Sequence, residues 1–292
     1  MKQQRDVVGQ ADSLPDRFRV TVHTALLQGS KLLEDERITA ARLTAEVLLS
    51  HALRRDRVYL YTHPEQELSE VEWLHYGRYL HERLSGKPTQ YITKTQEFYG
   101  RPFHVTPDVL IPRPETEHVV ETALALSGRR FLDVGCGSGA IAVTLQLETG
   151  AEVWGTDISC PAIHVARENA TRLGARVHLV ACDLAEAIAG RSVDVLVSNP
   201  PYVPSAELSG LSIEVREHEP HVALTSGPTG FEIYERLIAG ARRVLRPGGH
   251  LVLELGYNSS GRVTAMLDGF ENVRLASDLA GIPRVMSCQL LS

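Results

Sequence analysis

The chain has 292 residues, 43% of them hydrophobic and 23% charged, which is the profile of a globular protein with room for about two domains. Its net charge is −6; of the 30 basic and 36 acidic residues, 13 of each fall in residues 1–90, so the first part is neutral and the excess acid lies beyond it. Duplex-binding surfaces take most of their affinity from Lys and Arg on phosphates, and neither part advertises one.

No apolar run approaches the ~20 residues of a membrane span. The N-terminal stretch MKQQRDVVGQADSLPD has neither an apolar core nor a small-residue cleavage site, so no signal peptide is expected. Cys136, Cys160, Cys182 and Cys288 show no CxxC or Cys/His spacing, which argues against a disulfide framework and a zinc site and suits a reducing cytoplasm.

The first 85 or so residues read as helices alone. One is predicted from about Asp16 to Leu33, with Val20, Leu26 and Leu27 on its apolar face; a second starts near Thr39 as N-cap and carries Leu43, Val47, Leu48 and Ala52. A third begins at Ser69, where Ser69 and Glu72 have the spacing of a capping box, runs through Trp73, Tyr76 and Leu80, and stops at Gly86 and Pro88. Tyr91, Ile92, Phe98, Phe103 and Val105 flank Tyr99-Gly100-Arg101 and predict a hairpin across 89–105. Pro114, Glu115 and Glu117 suit a helix N-terminus, and that helix is predicted to run to about Leu126.

From Arg130 onward strands and helices alternate. Phe131–Val134, Glu152–Thr156, Val177–Val180, Val193–Val197 and His250–Leu255 are strand-like, with helical patterns between most of them. That is the signature of a parallel sheet wrapped by helices. Pro247-Gly248-Gly249 reads as a tight turn before the fifth strand, and 272–290 as two closing strands.

The first of these strands runs into Asp133-Val134-Gly135-Cys136-Gly137-Ser138-Gly139-Ala140, a glycine loop that lets backbone approach a ligand at a helix N-terminus. Asp157 closes the next strand 22 residues after Gly135, near the ~20-residue offset of an acid that holds ribose hydroxyls. The loop is GxGxG, with Ala140 where a dinucleotide loop has its last glycine, which shifts the cofactor from NAD toward S-adenosylmethionine. Asp183, before Leu184, is placed to receive the exocyclic amine of adenine.

The fourth strand delivers Asn199-Pro200-Pro201-Tyr202 at the same carboxyl edge. The Asn199 amide oxygen and the Pro200 carbonyl are two acceptors for one NH₂, the two prolines fix φ, and Tyr202 offers an aromatic wall. An amide or aryl-amine nitrogen is a poor nucleophile because its lone pair is delocalised. Holding both hydrogens orients that pair and favours the positive charge that builds on transfer.

Six stretches together carry a resemblance over nearly the whole chain: GKPTQYI at 86–92, EFYG at 97–100, LIPRPETE at 110–117, DVGCGSG at 133–139, SNPPY at 198–202 and EPHVAL at 219–224. The chain resembles the PrmC/HemK family of release factor glutamine methyltransferases. The NPPY motif is shared with nucleic-acid amino methyltransferases; IPRPETE is much more specific. The resemblance implies a helical substrate-recognition domain over 1–86, a hairpin linker over 87–112, and a Rossmann-like class I methyltransferase domain over 113–292 with a seven-stranded, mostly parallel sheet. It implies methylation of the side-chain amide nitrogen of the glutamine in the Gly-Gly-Gln motif of class 1 peptide-chain release factors. Carried over, Gly135, Cys136, Gly137, Ser138, Gly139, Asp157, Asp183, Leu184 and Asn199 hold S-adenosyl-L-methionine, and Asn199, Pro200, Pro201 and Tyr202 hold the glutamine, with Asn199 and Pro200 catalytic.

Leu184 stands where some members place a tryptophan, and Ser226-Gly227-Pro228-Thr229-Gly230 departs from a loop that usually reads GGxDG. A monomeric cytoplasmic enzyme is expected, with no metal, no membrane association and no stable nucleic-acid binding. The competing activities are a DNA adenine or RNA guanine amino methyltransferase, which needs a basic face, and a cofactor-binding module without turnover. His63, His75 and His81 read as ordinary helix residues, and no acid–base role is required of His218 or His221.

Overall fold

A computed structural model describes residues 19–278 and 280–292. The N-terminal stretch considered for a signal peptide, and the expected helix start at Asp16, lie outside the described residues. The described chain divides into two compact units, 19–85 and 86–292.

The first unit is four helices: α1 Val22–Asp35, α2 Ala41–Leu53, α3 Arg57–Thr62 and α4 Glu70–Leu84. Side-chain capping fixes three of their starts. Thr21 and Thr24 form one capping box and Ser69 and Glu72 another, while Asp56 Oδ1 accepts from Tyr59 N at 2.9 Å. Leu26, Leu33, Leu48, Leu49, Tyr76 and Leu80 are the core they enclose.

Some local expectations are corrected here. Val20 is buried but precedes the helix, Leu27 and Leu43 are exposed, and α2 is capped by Ala40 in a left-handed conformation and not by Thr39. Helical spacing alone does not choose which of two adjacent leucines turns inward; neighbouring helices do.

The second unit opens with a short helix, α5 Thr89–Thr93, so Tyr91 and Ile92 are helical and buried and do not belong to the hairpin. The hairpin is β1 Thr95–Phe98 with β2 Arg101–His104. Its two-residue turn has positive φ at both Tyr99 and Gly100 (50° and 68°), the primed geometry whose twist matches antiparallel strands. Phe98 and Phe103 meet edge to face and are buried in the core of this unit, so the predicted linker is packed structure. Pro114–Thr116 forms one 3-10 turn leading into α6 Glu117–Leu124.

After β3 Arg130–Val134 the chain alternates through α7 Ala140–Thr149, β4 Glu152–Asp157, α8 Cys160–Leu173 and β5 Val177–Ala181. A helix-free crossing leads to β6 Val193–Ser198; then come β7 Val203–Pro204, α9 Ile213–His218, β8 Thr225–Gly227 and α10 Glu232–Val244. The chain closes with β9 Leu245–Glu254, α11 Ser260–Ala265, β10 Phe270–Ser277 and β11 Pro283–Leu290. Seven strands form one sheet in the order β10-β11-β9-β6-β3-β4-β5, in which β11 alone runs against the other six, and β7 pairs β8 separately. This is the expected class I methyltransferase sheet. Pro247-Gly248-Gly249 does not precede β9 but lies inside it, where the pairing with β6 shifts register.

The central strands are apolar on both faces because helices cover both. Leu132, Val134 and Leu196 belong to one core with Tyr234, Leu237, Ile238, Ala241 and Val244 of α10, and Phe131, Val195 and Val197 belong to another with residues of α6 and α7. The strand order reverses between β3 and β6. Such a switch point opens a crevice at the carboxyl ends, and both the glycine loop and the Asn-Pro-Pro-Tyr segment leave the sheet there.

Candidate active site

The glycine loop is held by its own backbone and one acid. Gly135 N and Cys136 N both donate to Thr156 O at 2.8 and 2.9 Å, which folds the loop over the end of β4. The Asp157 carboxylate then accepts from Gly137 N through Oδ2 and from Ser159 N through Oδ1, each at 2.9 Å. Burial raises the Asp157 carboxyl above its usual range, with these backbone donors opposing the shift. Gly135 and Gly137 have positive φ (75° and 51°), and a Cβ on either would meet no atom within 4 Å. The space beside them belongs to a cavity of about 210 Å³ that Gly135, Gly137, Asp157, Ile158, Asp183 and Leu184 help to line.

A glycine-floored crevice with a carboxylate at its β4 edge fits a ribose-bearing cofactor. The other loop residues serve the scaffold. Cys136 and Ser138 are buried, Gly139 caps α7 at positive φ where a Cβ would crowd Ala166 at 3.1 Å, and none of the three lines the cavity. Asp183 does line it, but its Oδ2 already accepts from Arg236 at 2.6 Å. Leu184 reaches the cavity from a left-handed conformation (φ 46°).

Beneath the loop lies Asp133, fully buried. Its Oδ2 accepts from Ala142 N at 3.0 Å and its Oδ1 has no partner. Burial, with the nearby Asp157 charge adding to it, pushes this carboxyl up to about 7.

Ser198 Oγ donates to Val134 O at 2.7 Å and pins the end of β6 to the end of β3. Asn199 follows at the junction of two cavities. The second, also about 210 Å³, is lined by Arg113, Pro200, Tyr202, Val203, Leu211 and Leu224 among others, while Leu110, Asn199, Pro201 and Ala223 line both. All four residues of the Asn-Pro-Pro-Tyr segment therefore face this second space. Tyr202 also packs on Gly256, where a Cβ would come within 2.9 Å of the ring, and burial pushes its phenol up to about 12.

The amide of Asn199 is oriented from outside its own segment. Nδ2 donates to Thr116 Oγ1 at 3.1 Å, and Thr116 Oγ1 donates to Glu254 Oε2 at 2.6 Å. A hydroxyl has one hydrogen, so with that hydrogen on Glu254 it can only accept from Asn199. Oδ1 is left as the acceptor that Asn199 brings to the cavity junction. Burial pushes Glu254 up to about 7, against the Thr116 hydrogen bond.

A second buried acid braces the same region. Glu219 takes Arg113 Nη2 on Oε1 and the Ile111 N–H on Oε2, yet burial outweighs the pairing and raises its carboxyl. The segments 110–117, 198–202 and 219–224 thus meet around one space.

Thr116, Glu219 and Glu254 are the contributors that pattern reasoning over the catalytic segments passes over. The signal for Glu254 was an acid inside the apolar run Leu251–Leu255, and a buried acid needs a partner. His221 is exposed, with Nε2 on Arg216 O at 2.8 Å, and lines neither cavity. Among the described residues no cluster suited to a metal ion occurs, and no helix is long and apolar enough to cross a membrane.

Comparison with known proteins agrees with this layout. The PrmC N-terminal domain family matches residues 24–93 and the methyltransferase small domain family residues 115–213. The release factor glutamine methyltransferase of Koribacter versatilis is 43% identical over 91% of this chain and 98% of its own. That of Nitratidesulfovibrio vulgaris is 41% identical over 90% and 93%. A methyltransferase structure from Pyrococcus furiosus covers 74% of this chain and all of its own at 18% identity and a TM-score of 0.53, which supports the fold alone. With its S-adenosylmethionine-type crevice and its full-length relatives, the chain belongs to the release factor glutamine methyltransferase (PrmC/HemK) family of S-adenosylmethionine-dependent enzymes.

Proposed function

We propose that the chain methylates the side-chain amide nitrogen, N5, of the glutamine in the Gly-Gly-Gln motif of class 1 peptide-chain release factors. The observation that carries this reading is Asn199 at the junction of two cavities, with its Nδ2 committed to Thr116 and its Oδ1 left to accept. S-adenosyl-L-methionine, when bound, supplies an electrophilic methyl on a sulfonium. Gly135, Gly137, Asp157, Asp183 and Leu184 would hold it on the β3–β4 side, and Asn199, which lines both cavities, would hold the acceptor nitrogen against its methyl.

Asn199 Oδ1 and the Pro200 carbonyl each accept one hydrogen of the target amide. This holds the nitrogen still and aims its lone pair. As the N–C bond forms and the C–S bond breaks, the same two oxygens face a growing positive charge without having to reorganise. The electron pair leaves with sulfur, and the proton of the now acidic nitrogen departs to water. The apolar rim of Leu110, Pro201 and Ala223 limits water at the transfer line. Residues 1–86 recognise the release factor, 87–112 connect, and 113–292 perform the transfer. The enzyme works as a cytoplasmic monomer; its four free cysteines are consistent with a reducing compartment.

Purified protein incubated with methyl-labelled cofactor and a release factor is expected to place one label on the Gly-Gly-Gln glutamine, mapped by mass spectrometry. A release factor with that glutamine changed to glutamate lacks the nitrogen and is expected to remain unlabelled. Label in DNA or RNA instead would transfer the reading to a nucleic-acid amino methyltransferase. Cofactor binding without labelling of any release factor would leave a binding module.

A further inference from the structure

Glu254 is a puzzle as a structural residue. It ends β9 at 3% exposure, and no ion pair reaches it among the described residues. The two nearby guanidiniums are committed elsewhere: Arg113 to Glu219, and Arg284 to Asp278 at 2.8 Å. Glu115 adds a like charge that makes its ionised form harder still to hold. A buried carboxyl left without a cation contributes nothing obvious to stability. Among the described residues its side chain has one hydrogen-bond partner, Thr116, which is itself 4% exposed and whose hydroxyl serves only Glu254 and Asn199. These three residues are 83 and 138 positions apart in pairs, so the fold brings them together for a purpose that no local motif demands.

We propose that Thr116 and Glu254 are positioning residues for methyl transfer, which hold the Asn199 amide with its oxygen toward the acceptor nitrogen. The proposal rests on the reading of Asn199 given above. Without a fixed partner, a primary amide can turn over and present NH₂ to NH₂, which repels the substrate. Glu254 takes the single Thr116 hydrogen, so the hydroxyl presents a lone pair to Asn199 and accepts only the Nδ2 end. The relay is directional from the buried acid outward, and neither Thr116 nor Glu254 lines the cavity junction where the reacting groups meet.

The test compares Thr116→Val, Thr116→Ser, Glu254→Leu and Asn199→Ala, alone and as the pair Thr116→Val with Asn199→Ala. Release-factor methylation gives kcat and KM, and calorimetry gives S-adenosylmethionine affinity. Thr116→Val keeps the shape and removes the hydroxyl; kcat is expected to fall about ten- to a hundredfold with cofactor affinity unchanged. Thr116→Ser restores the hydroxyl and should recover most of the rate. The double variant should be no slower than Asn199→Ala, because both changes remove one function.

Wild-type kcat in Thr116→Val beside a crippled Asn199→Ala would overturn the positioning role and leave Asn199 in place. Full activity of Asn199→Ala would overturn the reading of Asn199 and the relay with it. Glu254→Leu removes the acceptor of the Thr116 hydrogen, so should Thr116→Val fail to fold, Glu254→Leu at wild-type kcat would overturn the relay equally well.

Discussion

The two cradles at the carboxyl edge of the sheet are built in opposite ways. The proposed cofactor side is local: Gly135 N and Cys136 N donate to Thr156 O, and the Asp157 carboxylate takes Gly137 N and Ser159 N, all between residues 135 and 159. The proposed acceptor side is assembled from afar, with Asn199 fixed by Thr116 and Glu254, and with Arg113 braced on Glu219. A cradle made from backbone tolerates change in side chains that point away from it. A cradle made from a chain of buried side chains fails when any one link is lost, because each leaves its partner unsatisfied.

The largest expected contrast is at Asn199. Asn199→Ala should lower turnover by roughly a hundred- to a thousandfold, the scale of one preorganised group at a reacting centre, with S-adenosylmethionine affinity nearly unchanged by calorimetry. Asn199→Asp keeps an acceptor and adds a charge that favours the developing cation, so residual activity above that of Asn199→Ala is expected. Equal and full activity of both would erase the distinction between the cradles.

Next in size is Asp157. Each hydrogen bond to a charged acceptor contributes about 1.5–3 kcal/mol, so Asp157→Ala should weaken cofactor binding about tenfold or more. Because Asp157 also holds Gly137 N and Ser159 N, part of that loss comes from a slackened loop. Unchanged affinity in the folded variant would remove Asp157 from the cofactor side.

Asp133 gives a smaller effect, read as stability. Its folded-state carboxyl lies at about 7, above its unfolded value, so the stability it contributes is full below the unfolded pKa and is lost as pH rises through about 7. Asp133→Asn cannot ionise. Its thermal midpoint should therefore improve relative to the parent as pH goes from about 5 to about 8, a parallel pair of curves being the result against it. The smallest expected effect is with salt. A site with six or more phosphate contacts loses roughly a thousandfold in affinity between 50 and 200 mM salt, and release-factor methylation should change far less.

Where sequence and structure part, the reason is the same throughout. Ser69 and Glu72 were legible because a capping box closes within one helical turn, and so was the Tyr99-Gly100 turn. Tyr91 and Ile92 read as strand residues yet form a helix, since a short apolar pair carries no period of its own. Leu43 fitted a helical stripe yet faces solvent, because α2 turns its other leucines to its neighbours.

The sequence by itself determined the alternating fold, the glycine loop with Asp157, and the Asn-Pro-Pro-Tyr segment at the strand end. Each depends on contacts within a few residues or on a strand order that apolar runs reveal. Only the tertiary structure decided which way the Asn199 amide faces, which loop residues reach the cavity, and why Glu254 is buried. Those outcomes are hydrogen bonds and packing between segments separated by up to 138 residues, and no spacing along the chain encodes where such groups meet.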